Sequence, residues 1–256
     1  MKLAAFDFDG TILFPDGIAQ STAEAIRAWQ EAGHLAVAAT GKSLSAAQHA
    51  LDGFDVSFDY SVLFTGAVVA DRQSRVLHSA ALDTDVVRRV VGHLATVENI
   101  AVYGTMLHGR DVRFSSTITG DAQTNILRDH QELDPADIAG HEFIGVPVWV
   151  PGNPALQQRI QTWITENFNV GCVSNQSFID IIPVGTTKGT GLAWLGNHLG
   201  VDRSEVEIHT FGDSWNDLPM HAIADHSYSF PWSPEEVHAA TDEVIDSVAE
   251  TLRRLL

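Results

Sequence analysis

The chain has 256 residues, 45% of them hydrophobic and 19% charged, a formal net charge of −18 and a single cysteine. That is enough chain to bury a sizeable core as one large or two modest domains. The acidity argues against nucleic acid or an anionic membrane surface as main partner, because a negative protein gains no counterion release there. Cys172 alone forms no internal disulfide, and there is no apolar run of 18 residues to span a bilayer. These features suit a cytoplasmic monomer or homodimer.

Residues 3–6 form a short apolar run that predicts a buried strand, followed at once by Asp7 and Asp9. In extended chain, residues i and i+2 project to one side, so both carboxylates share a pocket. Gly10 lets the backbone turn away sharply. Ligands of open α/β sheets sit at the carboxyl ends of the strands, and two crowded carboxylates there call for a cation or a shared proton. Ser21 with Glu24 reads as a capping box, which predicts a helix to about residue 32 with Gly33 as its C-cap. Residues 34–39 read as a buried strand ending at Thr40-Gly41-Lys42-Ser43. A phosphate-binding P-loop would need glycine at position 36, where Ala36 stands; what remains is a hydroxyl before a helix start, a seat for an anion.

A helix follows over 43–51, then a strand over 60–64 ending at Thr65-Gly66-Ala67, and a hairpin of 67–71 with 76–82. The rhythm then changes. A helix over 83–95 precedes strands at 100–106 and 111–115, joined through His108-Gly109-Arg110; a strand at 141–150, a helix at 156–168 and strands at 171–173 and 178–182 complete the region. Alternation resumes with a helix over 188–199, a strand over 207–211 ending at Gly212-Asp213-Ser214-Trp215-Asn216-Asp217, a strand at 228–230 and helices at 234–240 and 247–255. The predicted fold class is therefore α/β: a doubly wound, Rossmann-like parallel sheet built from 1–82 and 184–256, interrupted by an inserted α+β domain at 83–183.

Four strand-end or helix-start positions carry chemistry: Asp7 with Asp9, Thr40, Lys188, and Asp213 with Asn216 and Asp217. They supply hard oxygen ligands, a hydroxyl and an ammonium. Mg²⁺ is held by a few carboxylates plus water and phosphate oxygens, and phosphoryl transfer needs positioning and charge neutralisation above all. Given the chain's negative field, an anionic substrate needs such local attraction. The remaining notable residues read as structure: Cys172 as a buried thiol, Trp149, Trp163 and Trp194 as core, His49, His198 and His221 as structural or solvent-facing. Ser21, Ser43 and Ser214 lie in no nucleophile elbow.

The four sites, in this order, resemble the haloacid dehalogenase (HAD) superfamily of phosphatases. Asp7-Phe8-Asp9-Gly10-Thr11 matches its DxDGT motif, Thr40 its second, Lys188 in Thr187-Lys188-Gly189 its third, and Gly212 to Asp217 its GDxxND. The gap between the second and third motifs is where the Cof-like subfamily carries a cap domain of C2B type, and 83–183 looks like one. The resemblance implies that Asp7 is the nucleophile and that Asp9 is the acid that protonates the leaving oxygen and then activates water. It implies Mg²⁺ held by Asp7, Asp213 and the Asp9 carbonyl, with Asp217 supporting the metal's water shell or orienting Lys188. Thr40 and Lys188 would bind and neutralise the phosphoryl group. Thr11, Gly41, Lys42 and Asn216 are the expected substrate contacts in the core, and Arg110 and Arg113, with His108, those on the cap. Three departures stand out: Lys42 where the subfamily often has Arg, Thr65 where it often has Asn, and the bulky Trp215.

The implied function is a Mg²⁺-dependent phosphatase of small phosphorylated metabolites, sugar phosphates foremost, working through an aspartyl-phosphate. A narrow-specificity enzyme or phosphotransferase of the sucrose-phosphatase-like kind is the first rival. A receiver-like Mg²⁺ switch, or an idle homologue acting as a binding partner, is the non-enzymatic one. A receiver has about half this length and no insert, and an idle homologue would be expected to lose Asp7 or Asp213.

Overall fold

A computed structural model describes every residue except 121, 123, 125, 126, 128 and 129. The described residues form two compact units. The first comprises Met1–Lys42, Ala47–His78 and Thr187–Leu256; the second comprises Ser43–Ala46 and Ser79–Thr186.

In chain order the first unit begins with strand β1 (Lys2–Phe6), helix α1 (Gln20–Glu31), strand β2 (Leu35–Ala39), helix α2 (Leu44–Leu51, whose first turn falls in the second unit) and strands β3 (Tyr60–Leu63), β4 (Val68–Asp71) and β5 (Val76–Ser79). The second unit holds α3 (Thr84–Leu94), β6 (Ala101–Met106), β7 (Asp111–Ser116), β8 (His130–Glu132), β9 (Phe143–Trp149), α4 (Pro154–Asn167), β10 (Gly171–Asn175) and β11 (Phe178–Ile182). The chain returns to the first unit with α5 (Lys188–Leu199), β12 (Glu207–Phe211), α6 (Leu218–His221), β13 (His226–Ser229), α7 (Glu235–Ala239), β14 (Glu243–Val244) and α8 (Val248–Leu255).

The first unit's sheet runs β14-β13-β12-β1-β2-β3-β4-β5. From β14 to β3 every pairing is parallel, and the β3–β4 hairpin is antiparallel. Continuous apolar runs such as Leu3-Ala4-Ala5-Phe6 and Ala36-Val37-Ala38-Ala39 are what a sheet covered on both faces requires. Leu3, Ala5, Val37 and Ala39 pack on one face with Leu192 and Leu195 of α5. Ala4 pairs with His209 on the other face, where Trp29 of α1 meets the His209 ring edge-on at 5.7 Å. Phe6 pairs with both Ala38 and Phe211, so Asp7, Thr40 and Asp213 follow their strands at one edge of the sheet.

The second unit's sheet runs β10-β11-β9-β6-β7-β8 and is antiparallel except for β7 with β8. Val87, Val90, Val91 and Leu94 of α3 and Ile160 and Ile164 of α4 pack on one face against Val102, Phe114, Val148 and Ile179. Tyr103, Trp149 and Phe178 gather on the other.

Several sequence expectations need correction. Helix α1 starts two residues earlier than the capping-box reading, with Ala19 as N-cap and no side-chain cap; the Glu24 carboxylate takes the Gln20 amide at 2.8 Å instead. The strand expected over 60–64 stops at Leu63, because Phe64–Gly66 forms a 3₁₀ turn. Strands β8 and β14 were invisible: three and two residues carry no periodicity.

Candidate active site

The first unit gathers four ionisable groups at its sheet edge. The Lys188 Nζ donates to Asp7 Oδ1 and to Asp217 Oδ1, each at 2.6 Å, and all three side chains are buried. One carboxylate oxygen from each of Asp7, Asp213 and Asp217 lies within 4.8 Å of the other two. Each group is placed by its element. The Asp7 amide donates to the Phe211 carbonyl at 2.9 Å, which carries the β1–β12 ladder one residue past the strand. Lys188 is the first residue of α5, behind a capping box in which Thr187 and Thr190 satisfy each other. Asp217 accepts from the Ser214 amide at 3.0 Å, which folds the loop after β12 back on itself. Gly10, at φ +81°, is required: a Cβ there would stand 2.4 Å from Asp213 Oδ2.

The electrostatics follow from burial. Asp7 is pushed up to about 8 by desolvation, against the pull of Lys188 and with Asp217 adding repulsion. Asp213 is pushed up to about 7 by the same desolvation and the Asp217 charge. Burial alone would pull Lys188 down, but Asp217 and Asp7 outweigh it and hold the ammonium above its ordinary value. Three carboxylates around one ammonium leave a surplus of negative charge. The donors are all hard oxygens, the set that suits Mg²⁺ rather than a softer metal, and they fit such an ion.

The other expected residues fall as follows. Thr40 is buried; its hydroxyl accepts from the Lys42 amide at 3.2 Å. The Asp9 carboxylate stands apart from the three-carboxylate group: its side chain is 53% exposed and pairs with Lys42 Nζ at 2.7 Å. Lys42 is therefore engaged with the acid rather than projecting as a lone cation. Thr11 and Asn216 are buried, and the Thr11 Oγ1 and Asn216 Oδ1 have no hydrogen-bond partner among the described residues. Gly41 lies against Thr65. Arg110 is exposed in the second unit. Arg113, on β7, pairs with Glu132 directly across on β8, so its charge is met within its own sheet. Cys172 is half-buried, and burial pushes its thiol up to about 12, which leaves it unreactive.

Two features escaped the sequence reading. The Trp232 indole donates to the Gly10 carbonyl at 2.9 Å, and its ring stacks on Phe230 and meets Phe14 edge-on. Nothing local signals a contact across 222 residues. Phe64 and Thr65 both sit in the left-handed region, at φ 49° and 55°. For a β-branched residue that conformation costs about 1–3 kcal/mol. The Thr65-Gly66-Ala67 segment at a strand end was the available hint.

The acid–ammonium cluster thus stands at the carboxyl edge of the parallel strands. The profile of haloacid dehalogenase-like hydrolases matches residues 4–251, and the chain belongs to that family. An HMP-PP phosphatase of Citrobacter koseri is 27% identical over 230 residues, spanning 86% of this chain and 80% of that protein. Among solved structures, a haloacid dehalogenase-like hydrolase from B. subtilis superposes with a TM-score of 0.84 at 18% identity, over 100% of both chains. A sugar phosphatase of HAD subclass IIB superposes at 0.81, also at 18% identity, over 100% of this chain and 99% of that one. At these identities the structural likeness is one of fold.

Proposed function

We propose that the protein is a Mg²⁺-dependent phosphatase of small phosphorylated metabolites, with sugar phosphates as the leading class. The carrying observation is Lys188 held at 2.6 Å from both Asp7 and Asp217, beside Asp213. It supports reading Asp7 as the nucleophile, Lys188 as its neutralising cation and the carboxylates as an oxygen-donor set. The sugar phosphatase of like fold and the HMP-PP phosphatase relative support the same class of substrate.

Asp7, Asp213 and Asp217, with the Asp9 carbonyl, would hold Mg²⁺, which when bound neutralises the carboxylates and the phosphoryl oxygens. Asp7 attacks phosphorus as the bond to the leaving oxygen breaks, and Asp9 gives that oxygen its proton. Water then attacks the aspartyl-phosphate, Asp9 takes a proton from it, and the acyl-phosphate bond breaks to free inorganic phosphate and restore Asp7. The exposure of the Asp9 carboxylate, paired with Lys42 at 2.7 Å, supports this role. Thr40 and Lys188 hold the phosphoryl oxygens. Residues 83–183 serve as the cap that selects the leaving group, and no helix among the described residues is long and apolar enough to cross a membrane.

The test is phosphate release from a panel of sugar phosphates, HMP-PP and p-nitrophenyl phosphate. Turnover should require Mg²⁺, vanish in EDTA, and fall roughly 10⁴-fold in Asp7→Asn. Folded protein with no metal-dependent turnover on any ester would sink the reading.

A further inference from the structure

We propose that Trp232 is a positioning residue for the reaction: its indole N–H anchors the turn that carries Asp9 and so keeps that acid in reach of the leaving oxygen. This rests on the phosphatase reading above.

The turn over residues 8–13 takes its shape from its own backbone. The Thr11, Ile12 and Leu13 amides donate to the Phe8 carbonyl at 3.1, 3.0 and 2.8 Å, and the Gly10 amide donates to the Leu13 carbonyl at 3.1 Å. Such bonds shape a turn but do not tie it to the rest of the molecule. Gly10, at φ +81° and without a Cβ, is the point where the chain is most easily re-aimed. Two groups from elsewhere meet it. Asp213 closes over its α-carbon, and the Trp232 indole donates to its carbonyl at 2.9 Å. Among the described residues, Trp232 is the only side chain that hydrogen-bonds the backbone of residues 8–13.

The anchor is stiff. Trp232 stands in Phe230-Pro231-Trp232-Ser233-Pro234, directly after β13, where two prolines fix their own φ. The Ser233 hydroxyl accepts from the Phe230 amide at 3.1 Å, and the Ser233 amide donates back to the Phe230 carbonyl at 2.8 Å. His238 Nε2 lies 2.6 Å from that same carbonyl. The Phe230 ring is buried, and the indole stacks on it at 5.0 Å and 11°. From the other side Phe14, one residue past the turn, meets the indole edge-on at 5.7 Å.

Asp9 immediately precedes Gly10. Its carboxylate is half in water and pairs with Lys42 at 2.7 Å, and an exposed ion pair fixes a side chain only weakly. Placement of the acid therefore falls to the backbone that carries it, and Trp232 is what bonds that backbone to the core. A small displacement of a proton donor costs rate without disturbing the nucleophile, because Asp7 is held separately by the Phe211 carbonyl and Lys188.

Trp232→Phe keeps a ring against Phe230 and removes the N–H; Trp232→Leu removes both. Trp232 is 51% exposed, so neither change opens the core. Each variant is assayed at saturating Mg²⁺ on the panel's best sugar phosphate and on p-nitrophenyl phosphate, with thermal unfolding to establish that it is folded. kcat/KM reports the step in which the leaving oxygen departs. A sugar oxygen needs the Asp9 proton there, whereas p-nitrophenolate departs without one. Both variants are expected to lower kcat/KM for the sugar phosphate about tenfold more than for the aryl phosphate. An unchanged ratio in either folded variant, whether both activities fall together or neither falls, overturns the proposal and leaves the phosphatase reading standing. A wild type that hydrolyses no ester overturns both.

Discussion

In the first unit, Asp7 and Asp217 hold Lys188 between them at 2.6 Å each, with Asp213 alongside. In the second, Asp111 is buried at the start of β7, with no cation bonded to it among the described residues: the Ser43 hydroxyl donates to its Oδ2 at 2.7 Å, and its Oδ1 has no partner among them. Both regions push carboxyl groups up by desolvation, Asp7 to about 8 and Asp111 to about 6. The difference lies in what answers the charge. The first cluster is a set of ions organised around one ammonium and open to a further cation. The second is one acid inside a largely apolar sheet, met by a single hydroxyl and raised above its ordinary range by burial.

The sharpest way to break the comparison is Lys188→Met. It leaves Asp7 and Asp217 buried without their shared partner, and should cost about 3–5 kcal/mol in urea unfolding at pH 7.5 in EDTA. Asp213→Asn makes the opposite change by removing surplus negative charge, and should gain about 1 kcal/mol under the same conditions. Added Mg²⁺ should then raise the Tm of the wild type and leave Asp213→Asn nearly unmoved. A wild type whose Tm ignores Mg²⁺ would remove the distinction between the two regions.

Asp111→Asn tests the other side. The folded carboxyl titrates near 6 against an ordinary 3.8, so between those values the folded chain holds more protons than the unfolded one. Stability from this group is therefore full at low pH and is lost as pH rises through that window. The variant lacks the titration and keeps an acceptor for Ser43. Its advantage over wild type should grow from pH 4 to pH 6, level off above, and reach about 1–2 kcal/mol in urea titrations. An advantage constant across pH would show that Asp111 ionises freely where it lies.

Much of the first unit was legible because its signals are local. Thr187 caps α5 and Gly200, at φ 65°, ends it, so the helix over 188–199 falls where it was placed. β1 ends directly before Asp7 and β12 two residues before Asp213, and parallel register brings those ends together. What escaped reading was set at long range. Thr65 is driven into the left-handed region by carbonyls at Thr40 and Lys42 and by the close approach of Thr187, none of which its own neighbours announce. The Asp9–Lys42 pair and the Trp232 contact to Gly10 likewise depend on loops meeting in space. Arg113 looked like a cap cation because Glu132 lies on β8, a strand too short to be seen.

The smallest effect separates a cap that forms from one that only reads as a cap. Ser247 precedes α8 and its hydroxyl accepts from the Glu250 amide at 3.3 Å. Ser21 sits inside α1, exposed, with its hydroxyl in no capping bond. Ser247→Ala should cost about 1 kcal/mol, the value of a lost N-cap acceptor. Ser21→Ala should cost nothing and gain a few tenths of a kcal/mol, since alanine is the better helix former. Both are read by urea unfolding. Equal losses would restore Ser21 as a cap and would mean that α1 starts at the capping box after all; a loss confined to Ser247 shows that a serine followed three residues later by glutamate is a signal only when no earlier residue takes the N-cap position.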